Sequence, residues 1–248
     1  MEQEIPPENF VLSYLSSESL QIETITAFDL ADLSTARMKP VRIPRNFRGQ
    51  KHKLGYYWFS KSRIHIKYES RLELFAYQLL DFDPNVRKIL PQPLVINFFD
   101  GDREYHHIPD ILCERKDLPN LLIDVKPKKF VTTERNQIAF KFTEMTCSYA
   151  GWDYEVWSEP RRSLYYNLRL LASYRRPPIY CDLITPKLVS HCQEQARSIE
   201  DLIGAFDKPY FARPVLFHLL WKQILTINLQ DPIQDTSIVS YSRHDLHG

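Results

Sequence analysis

The chain has 248 residues, 44% of them hydrophobic and 13% aromatic, enough to bury a core as one large domain or two small ones. Its formal net charge of +1 selects no partner by itself, and no apolar run reaches the length that spans a bilayer. The opening MEQEIPPENF lacks the basic start and apolar core of an export signal, so a cytoplasmic protein with reduced thiols is expected. Cys113, Cys147, Cys181 and Cys192 form no CxxC pair or His/Cys cluster, which argues against structural zinc and makes them small apolar fillers.

Charge is placed unevenly. Residues 1–34 hold Glu2, Glu4, Glu8, Glu18, Glu23, Asp29 and Asp32 and no lysine or arginine, which predicts a loosely ordered acidic tail. The sign then reverses at Arg37, Lys39, Arg42, Arg45, Arg48, Lys51 and Lys53, spaced with Pro40, Pro44 and Gly49 as an extended basic arm. Such an arm is either a solvated loop or a row of phosphate contacts.

From Gly55 the chain is aromatic, and alternation at Ile64, Ile66 and Tyr68 predicts a strand leading into a helix. Leu72, Phe75, Ala76 and Leu79 form the helix's core-facing stripe, with Glu69 and Glu73 at its edge as solvated flank residues or as a contributed carboxylate. The DFDP turn ends that helix. Leu94–Phe99 and Glu104–Ile108 are the next strands, joined by the Asp100-Gly101 turn. The adjacent His106 and His107 face opposite sides, so at most one can approach a site formed next to them.

The stretch PDILCERKDLPNLLIDVK, Pro109–Lys126, then places two acids and a lysine at adjacent strand ends. Ile111–Cys113 and Leu121–Val125 are short apolar strands around a polar turn, Glu114–Asn120. Alternation puts Asp124 and Lys126 on one face, within reach of Asp110 at the start of the partner strand. Two carboxylates are the hard oxygen ligands that Mg²⁺ takes together with several waters, with Mn²⁺ as the alternative ion. An adjacent ammonium can orient a water or offset charge on a scissile phosphate.

Past the hairpin, Lys128 and Lys129 are either solvated or in reach of DNA phosphates. A helix over Thr133–Tyr149 buries Ile138, Phe142 and Met145 and stops at Gly151, and Tyr154–Trp157 is a strand. From Arg161 the pattern becomes mainly helical: Leu164, Leu168 and Leu171; then a helix opening at Thr185 or Pro186; then Val215–Ile224. The closing ILTINLQDPIQDTSIVSY alternates around an Asp-Pro turn as a hairpin.

A helix glutamate, a strand, Pro-Asp, a hairpin turn and Asp-x-Lys in this order resemble the PD-(D/E)xK restriction-endonuclease superfamily. More narrowly, ESRLELFAYQLLDFDPNV, QPLVI, IPDIL, LLIDVKP and GWDYEVWSE, spanning roughly Trp58 to Glu159, resemble the TnsA endonuclease subunit of bacterial heteromeric transposases. The fold class expected is α/β: a restriction-endonuclease-like mixed sheet flanked by helices, followed by a mainly helical, winged-helix-like C-terminal domain. The expected boundaries are an acidic tail over 1–34, the nuclease domain with its basic arm over 35–159, and the C-terminal partner- or DNA-binding domain over 160–248. The resemblance implies that Glu73 is the helix carboxylate, with Glu69 as its competitor, that Asp110 and Asp124 are Mg²⁺ ligands, and that Lys126 is the catalytic lysine. Arg42, Arg45, Arg48, Lys51, Lys53, Lys128 and Lys129 are the expected DNA contacts. It further implies cutting of the 5′ strands of double-stranded DNA at transposon ends, beside an integrase-like transposase subunit and an AAA+ ATPase regulator, on the bacterial nucleoid. The competing readings are a non-catalytic assembly subunit and a stand-alone restriction or repair nuclease.

Overall fold

A computed structural model describes residues 10–42, 54–100 and 103–242. The chain divides into two compact units, Met1–Glu159 and Pro160–Gly248. Among the described residues, no helix is long and apolar enough to cross a membrane.

The first unit runs through β1 (Val11–Ser16), β2 (Ile22–Thr26), α1 (Asp29–Asp32), β3 (Met38–Lys39), β4 (Gly55–Phe59), β5 (Ile64–Tyr68) and α2 (Arg71–Phe82). It continues with β6 (Val86–Pro91), β7 (Leu94–Asp100), β8 (Arg103–His107), β9 (Ile111–Arg115), β10 (Leu121–Val125), α3 (Lys128–Val131), α4 (Glu134–Ala150) and β11 (Asp153–Trp157). At its centre is a four-stranded mixed sheet ordered β11-β10-β9-β6, in which β10 pairs antiparallel with β9 and parallel with β11. β10 is buried along its whole length because a core lies on each face. On one side α2 and the β4–β5 hairpin enclose Tyr57, Phe59, Ile66, Tyr77, Ile111, Ile123 and Val125. On the other, Leu112 and Leu122 meet α4 and the inner face of a second sheet, β2-β1-β7-β8, through Leu12, Ile96, Phe98 and Phe142.

Residues 10–34 correct the expectation of a loose acidic tail, and residues 1–9 lie outside the described residues. Phe10, Leu12 and Tyr14 are buried at every second position of β1, which pairs with β7 from Val11↔Asn97 to Tyr14↔Leu94. The acids of the segment sit at the surface, so composition concealed a period-2 apolar pattern. In α2, Tyr77 and Leu80 are buried and Leu79 only partly so, because the helix is held by both the hairpin and the sheet. Gly151 ends α4 in the left-handed region at φ 66°, with its N–H and that of Trp152 returning to the last turn.

The second unit runs through α5 (Arg162–Ala172), α6 (Cys181–Glu194), β12 (Arg197–Ser198), α7 (Ile199–Gly204), α8 (Pro209–Trp221), β13 (Leu225–Ile227) and β14 (Ile238–Tyr241). Helix α6 begins four residues before Thr185 and carries Pro186 inside it, and α8 begins at Pro209 rather than Val215. The three short strands form one sheet, β12-β14-β13. Its core centres on Leu188, Leu202, Val215, Leu216, Leu220 and Leu225.

Candidate active site

Asp110 stands just before β9, and Asp124 and Lys126 at the end of β10, so antiparallel pairing brings all three to one end of the central sheet. Asp110 prolongs that pairing: its N–H donates to the Ile123 carbonyl at 3.1 Å, and its Oδ2 accepts the Val125 N–H at 2.7 Å. Lys126 is fixed through its backbone N–H, which donates to the Trp157 carbonyl at 2.9 Å. Its Nζ lies 2.8 Å from Asp110 Oδ2 and 3.3 Å from Asp124 Oδ1. Both carboxylates therefore converge on one cation.

Asp124 is 0% exposed, and its two oxygens differ. Oδ2 is held by His107 Nε2 at 2.8 Å and by the Tyr154 hydroxyl, which donates at 2.7 Å. Oδ1 is buried and accepts no hydrogen bond, with only the Lys126 ammonium nearby. Burial pushes the Asp124 carboxyl up, but His107, Lys126 and Tyr154 together outweigh it and hold the group below the ordinary carboxylate range. Burial raises Asp110 despite its ion pair with Lys126, the charge of Asp124 adding to the rise. Burial alone would lower Lys126, but the two aspartates reverse this and the ammonium keeps its proton above the usual range. The Tyr154 phenol is pushed far up by burial and by Asp124, so it acts as a donor only.

The donor chemistry fits a hard divalent ion. Among the described residues, no three His, Cys, Asp or Glu side chains form a ready-made cage. Mg²⁺ is commonly held by one or two carboxylates together with waters and substrate phosphate. An unpaired, buried carboxylate oxygen opposite a second carboxylate, with a cation between them, is such a place.

Glu73 sits beside this group with both oxygens engaged by the start of α2. Its Oε2 accepts the Glu69 N–H at 2.9 Å and its Oε1 the Ser70 hydroxyl at 2.9 Å, while Ser70 Oγ accepts the Glu73 N–H at 3.0 Å. This is a variant of the capping box. Burial, with the nearby charge of Asp110 contributing, pushes the Glu73 carboxyl up to about 7. Glu69 is tied elsewhere, to Arg42 at 2.6 Å and to Gln92 Nε2 at 2.8 Å. Arg42 is thus committed to an acid, and Arg45, Arg48, Lys51 and Lys53 lie outside the described residues. Lys128 and Lys129 are exposed in α3, immediately past the site strand, with Lys129 over the Phe130 ring.

Two residues of the site, Tyr154 and Gln92, were not singled out in the sequence, and His107 was weighed only as one of an adjacent pair. Tyr154 lies beside Leu122 in the parallel pair, on the face of the sheet that carries Asp124; alternation along β11 could have placed it there. His107 is the inward member of its pair, and His106 turns out to Asn97, with Nδ1 2.6 Å from that amide oxygen. Gln92 adopts φ 46°, so its N–H meets the Asp110 carbonyl at 2.9 Å while its side chain reaches Glu69. Nothing local marks it.

Residues 83–159 match the family model described as TnsA-like endonuclease N terminal, a stretch containing β6 to β11 with Asp110, Asp124 and Lys126. No curated protein matches the chain in sequence. This part of the chain is therefore similar to the N-terminal domain of TnsA-like endonucleases, which supports a TnsA-type endonuclease of the restriction-endonuclease-like superfamily.

Proposed function

We propose that the chain is the metal-dependent endonuclease subunit of a heteromeric transposase, hydrolysing the 5′ strands of double-stranded DNA at transposon ends. The observation that carries this reading is the convergence of Asp110 and Asp124 on Lys126, with Asp124 Oδ1 left unpaired, inside the segment that matches the TnsA-like domain. Asp110 Oδ2 and Asp124 Oδ1 would hold Mg²⁺ or Mn²⁺, with Glu73 as the helix carboxylate that completes or tunes the site. Such an ion supplies charge neutralisation at the phosphate and a more acidic water.

The chain's own groups have distinct work. His107 and Tyr154 fix Asp124 by one oxygen and leave the other aimed at the site. Lys126, protonated, presents a positive charge to the scissile phosphate and can orient the attacking water. Exposed Lys128 and Lys129 sit where the flanking backbone would lie, and the basic arm with Arg45, Arg48, Lys51 and Lys53 would extend that track.

The second unit supports a partner-docking role. After α5, its order of helix, short strand, two helices and two pairing strands resembles that of a winged helix, and it has no strongly basic character. Its partners in this reading are an integrase-like transposase and an AAA+ regulator. The test is strand-specific cleavage of transposon-end DNA with candidate partners and Mg²⁺. Asp110→Ala and Lys126→Ala should abolish 5′-strand cutting, with Asp110→Asn keeping an acceptor for Val125 N–H as a folding control. Unchanged 5′-strand cleavage in the Asp110 and Lys126 variants would exclude the proposal.

A further inference from the structure

Between Arg37 and Lys67 the chain contains no aspartate or glutamate and ten lysines and arginines. The last part of this run is not an arm but a built element, the β4–β5 hairpin. Its register pairs Tyr56 with Lys67 and Trp58 with His65 on one face, and Tyr57 with Ile66 on the other. The second face is spoken for: Tyr57, Phe59 and Ile66 are buried against α2 and the central sheet. The first face is partly open, with Trp58 and Lys67 half-buried. Tyr56 is 68% exposed, His65 is exposed, and the Trp58 and His65 rings meet edge to face at 4.9 Å. Arg63, exposed at φ 54°, stands in the connecting turn.

The base of the hairpin is close-packed: a Cβ at Gly55 would lie 2.2 Å from the Tyr68 hydroxyl, so that side chain would have to move to admit one. It leads directly into Glu69, Ser70 and Glu73, and the Tyr77 hydroxyl of α2 donates to the Lys67 carbonyl at 3.2 Å. The face is thus part of the framework that carries the helix carboxylate.

We propose that the outer face of this hairpin, Tyr56, Trp58, His65 and Lys67 with Arg63 at the tip, binds DNA through an unpaired strand. Cations on the face take the sugar–phosphate backbone, and the rings take bases. The choice of DNA rests on the endonuclease reading above; the choice of an unpaired strand rests on the rings, which can stack only on bases released from the duplex. Ring faces beside lysine and arginine, in a run without a single acid, complement a polyanion with exposed π surfaces.

The test is fluorescence anisotropy with the full chain in EDTA, where nothing is cut, using a labelled mixed-sequence single strand and a blunt duplex of equal length. Tyr56→Ala with Trp58→Ala should weaken single-strand binding at least about tenfold and duplex binding much less. Tyr56→Phe with Trp58→Phe, which keeps the rings, should stay within about twofold on the same grounds. Arg63→Gln with Lys67→Gln should weaken both ligands and lower the salt slope by about one to two. Unchanged single-strand affinity in the alanine pair, or an equal loss on duplex, overturns the proposal. So does polyglutamate competing as well as the single strand. The binding assay contains neither metal nor a cleavage step, so failure of the cleavage assay and failure of this binding surface are read separately.

Discussion

The two units bury different atoms. Among the described residues, the interior of the second unit is apolar with a few neutral polar groups, Asn167, Ser198, His218 and Ser242. Asn167 shows how they are used: its amide donates to the Leu229 and Asp231 carbonyls and its oxygen accepts the Ile233 N–H, tying down a loop. The first unit takes whole carboxylates inside, Asp81 and Asp124. Burying a charge costs several kcal/mol in general unless partners compensate, so packing alone does not call for it. Yet burial by itself is no marker of chemistry. Asp81 has both oxygens satisfied by Tyr57 and Ser60 and merely anchors the hairpin, whereas Asp124 has one oxygen satisfied and one left open. The two buried acids thus differ in whether an oxygen is left without a hydrogen bond.

The sharpest way to break this contrast is to remove the charges. Asp110→Ala or Lys126→Ala should reduce 5′-strand cleavage by at least about 10²–10³-fold, measured in the reconstituted reaction. The mirror experiment is Leu216→Ala in the second unit, which should cost about 2–5 kcal/mol in urea unfolding through a cavity, with no change in metal affinity of the first unit. A change in metal affinity there would refute the division of labour.

Glu73 gives a pH signature. Its carboxyl is held near 7 in the folded chain against an ordinary 4.5, so the folded state binds the extra proton between those values. The resulting stability is fully present below about 4.5 and is lost as pH rises towards 7, by about 3 kcal/mol at most. Glu73→Gln should flatten the fall in melting temperature across that window in metal-free buffer; an unaltered slope would assign it to other groups. Next in size, Tyr154→Phe should lose about 1.5–3 kcal/mol, the range for a hydrogen bond to a charged group. It should also weaken Mn²⁺ binding measured by calorimetry. Smallest is Ser198→Ala in the second unit, which removes the cap of α7 for about 1 kcal/mol in the unfolding midpoint.

What could be read from the sequence follows the range of the interactions involved. The β9–β10 hairpin, the Gly151 stop and the convergence of Asp110, Asp124 and Lys126 depend on neighbours a few to some fifteen residues apart, and alternation suffices to place them. The β1–β7 pairing joins residues 80 to 86 positions apart, and its apolar period was concealed by acids that point outward. The same distance argument explains Tyr154 and His107: Tyr154 reaches Asp124 through the order of the central sheet and His107 from the second sheet, so only the tertiary arrangement brings the three together. On paper Glu69 is the competitor and Glu73 the helix carboxylate that the resemblance implies. Arg42 and Gln92 occupy the first, while burial near Asp110 distinguishes the second.

The turn between β9 and β10 offers something practical. Asp110, Asp124 and Lys126 gather at one end of the strand pair, and the turn at Asp117 and Leu118, both exposed, closes the other end. At about 3.3 Å per residue, five-residue strands separate the two by roughly 15 Å. Asp117 already takes the left-handed conformation, so the segment tolerates backbone freedom that a strand does not. A dye, tether or short inserted tag at this turn would therefore sit on the same two strands as the cutting chemistry while leaving it untouched, a fixed handle for watching the nuclease engage DNA.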